Sequence, residues 1–163
     1  MMSKTTCGAI EWEIPLETNL RRATMEDAEA VYNWRNDPKV RAVSRSVGEI
    51  DYAAHASWFA ERIPLTHPET VWIIEADDGV GIGSARINCY EDDDRAEISV
   101  VLGEEHRSRG VGRQVIKQLA DKVRAMGRVP TAFVRPDNRR SLNTFTAAGF
   151  TYVLPVIELH VRD

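Results

Sequence analysis

Residues 101–112, reading Val-Leu-Gly-Glu-Glu-His-Arg-Ser-Arg-Gly-Val-Gly, constrain the fold of this chain more than any other stretch. An apolar, β-branched run stops at Leu102, a polar loop with two close glycines follows, and apolar residues at helical spacing begin inside that loop. The pattern predicts a strand, a glycine-rich turn and a helix that ends at Gly127. Val111, Val115, Leu119 and Val123 stand at steps of four with Ile116 and Ala120 beside them, which makes one broad buried stripe. Residues 131–134, Thr-Ala-Phe-Val, read as the strand after that helix. A helix of this length between two strands lets them lie parallel in a right-handed crossover.

The chemistry such a turn supports is anion binding. Amides at a helix start have no intrahelical acceptor, and the helix dipole adds partial positive charge there. Gly110 and Gly112 carry no Cβ to keep an anion off the main chain, and Arg107, Arg109 and Arg113 add charge around them. A lone Gly-x-Gly also suits any strand-to-helix turn, so its meaning depends on what accompanies it.

At 163 residues, with 43% hydrophobic and 28% charged, the chain reads as one ordinary globular domain. A formal net charge of -4 argues against a general nucleic-acid binder, whose affinity rests on a basic surface. Cys7 and Cys89 make neither a disulfide framework nor a metal-ligand spacing, and no apolar run approaches a membrane span. The N-terminus lacks the basic-then-apolar pattern of a secretory signal. The expectation is a cytoplasmic protein with free thiols, no metal, and neither nucleic acid nor membrane as partner.

Residues 1–19 show no periodicity and are read as an N-terminal extension, disordered or paired along an edge through residues 10–14. Residues 20–163 then form a single domain. A short strand at 20–23 leads to Thr24-x-x-Asp27, a helix-start signature whose hydroxyl accepts from first-turn amides. The first helix runs to about Asn36, buries Ala28, Val31 and Trp34, and ends before Asn36-Asp37-Pro38. A loop carrying Val40, Val43 and Val47 precedes a second helix over residues 50–63, stopped by Pro64. On it His55, Trp58, Phe59 and Arg62 stand three and four apart and share a face. Two roles fit His55: a satisfied packing histidine, or, with Trp58, contact with a ring-shaped or sugar acceptor in a cleft.

Residues 71–74 and 80–90 read as a hairpin turned at Asp77-Asp78-Gly79, followed by a solvated acidic turn at 91–94 and a strand over 95–102. After the crossover, Asp137 or Asn138 caps a last helix through Ala148, and residues 150–154 and 156–161 make a closing strand pair around Pro155. The predicted order is β, α, α, β, β, β, α, β, α, β, β, an α/β (α+β) fold.

The strand ending at Val101-Leu102, the turn Arg107-x-x-Gly110-x-Gly112, and the block Asn138-x-x-Ser141 closed by Gly149-Phe150 resemble the GNAT superfamily of acyl-CoA-dependent N-acetyltransferases. The element order agrees over residues 20–163. The resemblance implies a mixed central sheet with helices on both faces and two parallel strands splayed at the cofactor site. It implies acetyl-CoA as co-substrate, with the pyrophosphate on the amides of Arg107, Ser108, Arg109, Gly110, Val111 and Gly112, and Arg113 beside them. The pantetheine arm would pair with main chain at Val101 and Leu102, with Asn138 and Ser141 along its other side; Asn138 also suits a plain helix cap. Many members place a tyrosine seven residues after that asparagine to protonate the departing thiolate. Phe145 stands there in this chain, so another group, solvent or Tyr152 serves, or the thiolate leaves unassisted.

The segment Tyr32-Asn33-Trp34-Arg35-Asn36-Asp37-Pro38 with Arg41, followed by Ile50, His55 and Trp58-Phe59, resembles acetyltransferases of nucleotide-linked amino sugars, such as those of the pseudaminic acid pathway. Less specifically, it resembles the ribosomal-protein N-terminal acetyltransferase group. The first resemblance implies a small-molecule amine acceptor, an amino-sugar nucleotide, met by Arg35, His55, Trp58 and Arg62. A homodimer is compatible with it.

Acetyl transfer to an amine needs a neutral nitrogen, a polarised thioester carbonyl and a tolerable leaving thiolate. A main-chain amide near Leu102 is available for the carbonyl oxygen. Glu97, on the same side of its strand as Ser99, is the candidate base; the alternative is a strand-surface carboxylate paired with Arg95 or Arg86. Two further functions compete: acetylation of protein N-termini or other small amines, and a non-catalytic acyl-CoA-binding module, for which the missing tyrosine at Phe145 speaks.

Overall fold

Five strands form one mixed sheet in chain order in this computed structural model, which describes residues 17–65, 69–90 and 93–153. β1 (Thr18–Arg22), β2 (Val71–Ala76), β3 (Gly81–Cys89) and β4 (Arg95–Leu102) are antiparallel, and β5 (Val129–Thr131) joins β4 in parallel. The helices are α1 (Ala28–Asn36), α2 (Pro38–Val43), α3 (Tyr52–Arg62), α4 (Val111–Ala125) and α5 (Arg139–Ala147).

Strand alternation decides which helix covers which face. Trp72, Ile74, Ala85, Ile87, Ala96 and Ile98 pack against Val111, Val115, Leu119 and Val123 of α4, the stripe read from the sequence. Val71 and Ile73 pack on the opposite face, against Val31 of α1 and Phe59 of α3. Each fully buried Val or Leu stabilises by about 1.5–3 kcal/mol, so the stripe, more than helix propensity, holds α4 in place.

Several boundaries differ from expectation for physical reasons. Asn36-Asp37-Pro38 ends α1 but also starts α2, where a loop was expected: Asp37 Oδ1 accepts the Lys39 amide at 2.8 Å and Pro38 takes the first helical position. At the start of α1 a short 3-10 turn intervenes, and the Asp27 carboxylate accepts the Thr24 amide at 2.7 Å. β1 begins at Thr18, so the end of the expected extension belongs to the sheet; residues 1–16, including the edge pairing considered for 10–14, lie outside the described residues. Residues 150–153 form no strand, and the remainder of the expected closing pair also lies outside the described residues.

The fifth strand is displaced too, and this displacement opens the site. It pairs through Arg95↔Val129, Ala96↔Pro130 and Glu97↔Thr131, earlier than the expected residues 131–134. Pro130 cannot donate to a ladder and is tolerated because β5 is an edge of the sheet among the described residues. Beyond Glu97 the two strands part. Gly103 donates to the Ile82 carbonyl at 2.9 Å, which fixes the phase of the β3–β4 ladder. Val101 and Ser99 therefore turn their main-chain polar groups to β3, while Val100 and Leu102 turn theirs into the gap that β5 has left.

Candidate active site

A cleft of about 620 Å³ opens at that gap, walled by the end of β4, α2 with residues 44–46, residues 132–135 and α5. Its lining brings together Arg35, Glu97, Val101, Leu102, Arg107, Gly112, Asn138 and Ser141, residues far apart in the chain.

The turn before α4 owes its shape to two left-handed residues, Ser108 at φ 63° and Gly110 at φ 79°. Gly110 is the N-cap of α4 and offers no side chain, and the first helical bond runs from the Gln114 amide to the Gly110 carbonyl at 3.2 Å. The amides of Ser108, Arg109, Gly110, Val111, Gly112 and Arg113 thus have no acceptor among the described residues, as an anion cradle requires. The two glycines differ in purpose. A Cβ at Gly110 would touch nothing, so its glycine is required by the positive φ; a Cβ at Gly112 would come 3.3 Å from Thr144 Cγ2, so its glycine lets α5 approach α4.

Arg107 does not contribute a free charge to the turn. Its guanidinium, 11% exposed, binds Asp37 Oδ2 at 2.5 Å and the Leu102 carbonyl at 2.8 Å, and its amide donates to Glu104. That bond holds the Asp37 carboxyl below the usual carboxylate range. Asn138 is likewise committed: Oδ1 accepts the Ser141 amide at 3.1 Å, capping α5, and Nδ2 donates to the Val43 carbonyl at 3.4 Å. Both side chains fasten α2 to the cleft's opposite wall.

Glu97 lies at the inner end of the cleft, 9% exposed. Tyr90 donates to its Oε2 at 2.7 Å, Asn88 donates to the same oxygen at 3.4 Å, and Arg45 reaches Oε1 at 3.2 Å. Neither Arg95 nor Arg86 is its partner; Arg95 pairs with Asp93. The bond to Glu97 pushes the Tyr90 phenol up, so the hydroxyl keeps its proton.

The shared face expected on α3 divides in two. His55, 3% exposed, donates through Nε2 to the Ala28 carbonyl at 2.9 Å and stacks on Phe59, whose centroid is 5.6 Å away. A carbonyl only accepts, so Nε2 carries the proton. Burial holds the imidazole below its ordinary value and therefore neutral. This is the packing role, and His55 does not reach the cleft. Trp58, on the flank of the same helix, lines a small pocket that adjoins the cleft at Arg35, Arg86, Ser99 and Val101, and Arg62 lines neither. Phe145 forms part of the cleft wall, edge-on to Phe150 at 5.1 Å. Tyr152 is 69% exposed and off the wall, which removes it as a proton donor there.

Residues 18–151 match the family model of the acetyltransferase (GNAT) domain. The chain belongs to the GNAT acetyltransferases. As such it is an acyl-CoA-dependent N-acetyltransferase with acetyl-CoA as co-substrate. Solved structures agree in fold. yncA from Salmonella typhimurium, with its cofactor acetyl-CoA, is 25% identical at a TM-score of 0.67, over 83% of this chain and 80% of that one. Spermidine N-acetyltransferase from Vibrio cholerae, in complex with CoA and spermine, is 15% identical at 0.73, over 90% and 88%. An aminoglycoside acetyltransferase in complex with coenzyme A is 18% identical at 0.65, over 83% and 84%. No curated protein sequence matches the chain. No helix among the described residues is long and apolar enough to cross a membrane.

The site of this GNAT enzyme contains residues that the sequence reading passed over. Arg45, Tyr90 and Asn88 surround Glu97, and Arg86, considered only as a partner for Glu97, shares the inner wall. A signal was present: Ser84, Arg86 and Asn88 alternate with Ala85, Ile87 and Cys89, a polar row on a strand buried on both faces.

Proposed function

We propose that this chain transfers the acetyl group of acetyl-CoA to the primary amine of a nucleotide-linked amino sugar, with Glu97 as the base. The observation that carries the reading is a single cleft that runs from Gly112, within the stretch of open amides at 108–113, along the free edge of β4 to the Glu97 carboxylate. Open amides at a helix start suit a diphosphate, and an unpaired strand edge suits an arm that carries its own amides. Acetyl-CoA has both and supplies the activated thioester.

The chain's own groups do the rest. The Leu102 or Val100 amide polarises the carbonyl, and Glu97, directly or through water, takes the proton that leaves the amine. Tyr90, Asn88 and Arg45 fix the carboxylate's direction. Phe145 has no proton to give, so the thiolate is protonated from solvent. Holding amine and thioester in attack geometry removes on the order of 7–11 kcal/mol of barrier in well-oriented systems, which leaves side-chain chemistry a moderate share.

Coenzyme A release measured with a uridine-diphosphate-linked amino sugar, set against peptides with free N-termini, tests the acceptor. A preference for peptides overturns the amino-sugar reading. Glu97→Gln is expected to lower kcat by about 10²-fold, the lower end for a general base, with the acetyl-CoA KM little changed. A native pH–rate profile in that variant would reject Glu97 as base.

A further inference from the structure

Two guanidiniums at the inner end of the cleft have no carboxylate at ion-pair distance among the described residues. Arg35 on α1 and Arg86 on β3 both lie over the Trp58 ring, 5.5 and 5.7 Å from its centroid, and both line the wall beside Ser99 and Val101. Neither forms an ion pair among the described residues, and Arg86 Nε is buried with no hydrogen-bond acceptor. Elsewhere the fold matches such groups: Arg107 has Asp37, Arg21 has Asp27 and Glu75, and Arg135 has Asp137. Burial, then the like charge of Arg35, outweighs the attraction of the Glu97 carboxylate and holds Arg86 down to about 10, so it is still a cation at neutral pH. A half-buried cation without an ion pair, its Nε fully covered, costs stability. Stacking on Trp58 explains one cation; a second on the same ring adds repulsion and calls for an anion between them.

We propose that Arg35 and Arg86, seated on Trp58, form a subsite for an anionic group of the acceptor, a phosphate or a carboxylate. The assignment rests on the acetyl-transfer reading above and specifies its acceptor. Arg86 stands opposite Ser99 and diagonal to Glu97 across β3 and β4. Diagonal neighbours have Cα atoms about 7–8 Å apart, so an acceptor with its anion on the guanidiniums presents its amine at Glu97 when the two groups are about one sugar ring apart or closer. The guanidinium forks match carboxylate or phosphate oxygens, and the orphaned Arg86 Nε gains its acceptor. Polycationic amines such as spermidine or aminoglycosides would meet Arg35, Arg45 and Arg86 against Glu97, the one carboxylate lining the cleft among the described residues, which disfavours them.

Paired acceptors test the subsite: a uridine-diphosphate-linked amino sugar against the same sugar without the nucleotide, and an α-amino acid against its carboxamide. The native enzyme is expected to favour the anionic member of one pair by about 10- to 100-fold in kcat/KM, and the pair that responds identifies phosphate or carboxylate. Arg86→Met and Arg35→Met are expected to bring that ratio towards one while acetyl-CoA affinity holds. Equal use of both members of both pairs, or a ratio that neither substitution moves, overturns the subsite. If no amine releases coenzyme A, the transfer reading fails instead, and calorimetry of the same four compounds on the donor-free protein decides the subsite. There, at least tenfold tighter binding of an anionic member, lost in Arg86→Met, supports it, and equal binding overturns it. Arg86→Met removes an unpaired charge and is expected to melt no lower than the native protein; should neither variant fold, the native ratio alone decides.

Discussion

Single residues in this enzyme are fixed by contacts that their neighbours in sequence do not disclose. Gly83 sits where β3 slips against β2, Ile74 pairing with Gly83 and Glu75 with Gly81, so that Ile82 is the extra residue of a bulge. A Cβ on Gly83 would stand 2.3 Å from the Val101 carbonyl oxygen and 2.9 Å from Leu102 Cδ2. Gly83→Ala is expected to cost about 1–3 kcal/mol in denaturant unfolding, and to weaken acetyl-CoA binding because the β4 edge must move. His55 makes a different prediction. Its folded value is depressed, so the unfolded chain takes up a proton near 6.5 while the folded chain does not. The stability tied to neutral His55 is complete above about pH 6.5 and declines as pH falls below it. Thermal melts between pH 5 and 8 should show that decline, and His55→Gln, which can still donate to Ala28, should reduce the slope.

At the scale of elements, α2 is the piece that a loop reading misses and the cleft cannot lack. Asp37 serves it twice, capping its first turn through Oδ1 and holding Arg107 through Oδ2. The short helix is thereby fastened to the end of β4 and to the turn before α4. Asp37→Asn keeps the cap and loses the ion pair, so about 1.5–3 kcal/mol of stability should go with it, together with several-fold in acetyl-CoA affinity. Calorimetry and denaturant titration measure the two. Because the Asp37 carboxyl is depressed, its contribution is complete above about pH 4 and is lost as pH falls through the folded value; the Asn variant should lack that acid-side loss.

For the whole molecule, the sheet is closed at four strands and opened at the fifth. The β4–β5 pairing ends at Glu97–Thr131, and ligand binding completes what the sheet leaves undone. Acetyl-CoA at 100 times its Kd should add about 2.7 kcal/mol, a rise of roughly 5–10 °C in Tm for a chain of this size. Hydrogen exchange should locate the gain: slower exchange at Val100, Leu102 and residues 108–113, with β1 and β2 unchanged. Protection spread evenly over the sheet would put the donor elsewhere.

The sequence by itself determined the first four strands, the α4 stripe and the glycine turn, because each is a local period or a local steric need written in consecutive residues. Val111 to Val123 must face a core at steps of four, and Gly110 must supply a positive φ wherever the chain goes next. It also set Glu97 and Arg35 among the candidates, by type and place. Only the tertiary structure decided what those side chains meet. Arg107 reads as a phosphate ligand until Asp37 is brought to it across 70 positions, and His55 fits both packing and acceptor contact until Ala28 and Phe59 close over it. Arg86 shows the reverse: on a strand it is one polar residue among several, and its lack of an ion pair among the described residues gains meaning only when Arg35 and Trp58 arrive from two different helices. Charge and burial are sums over neighbours in space, and the chain's order does not contain them until it is folded.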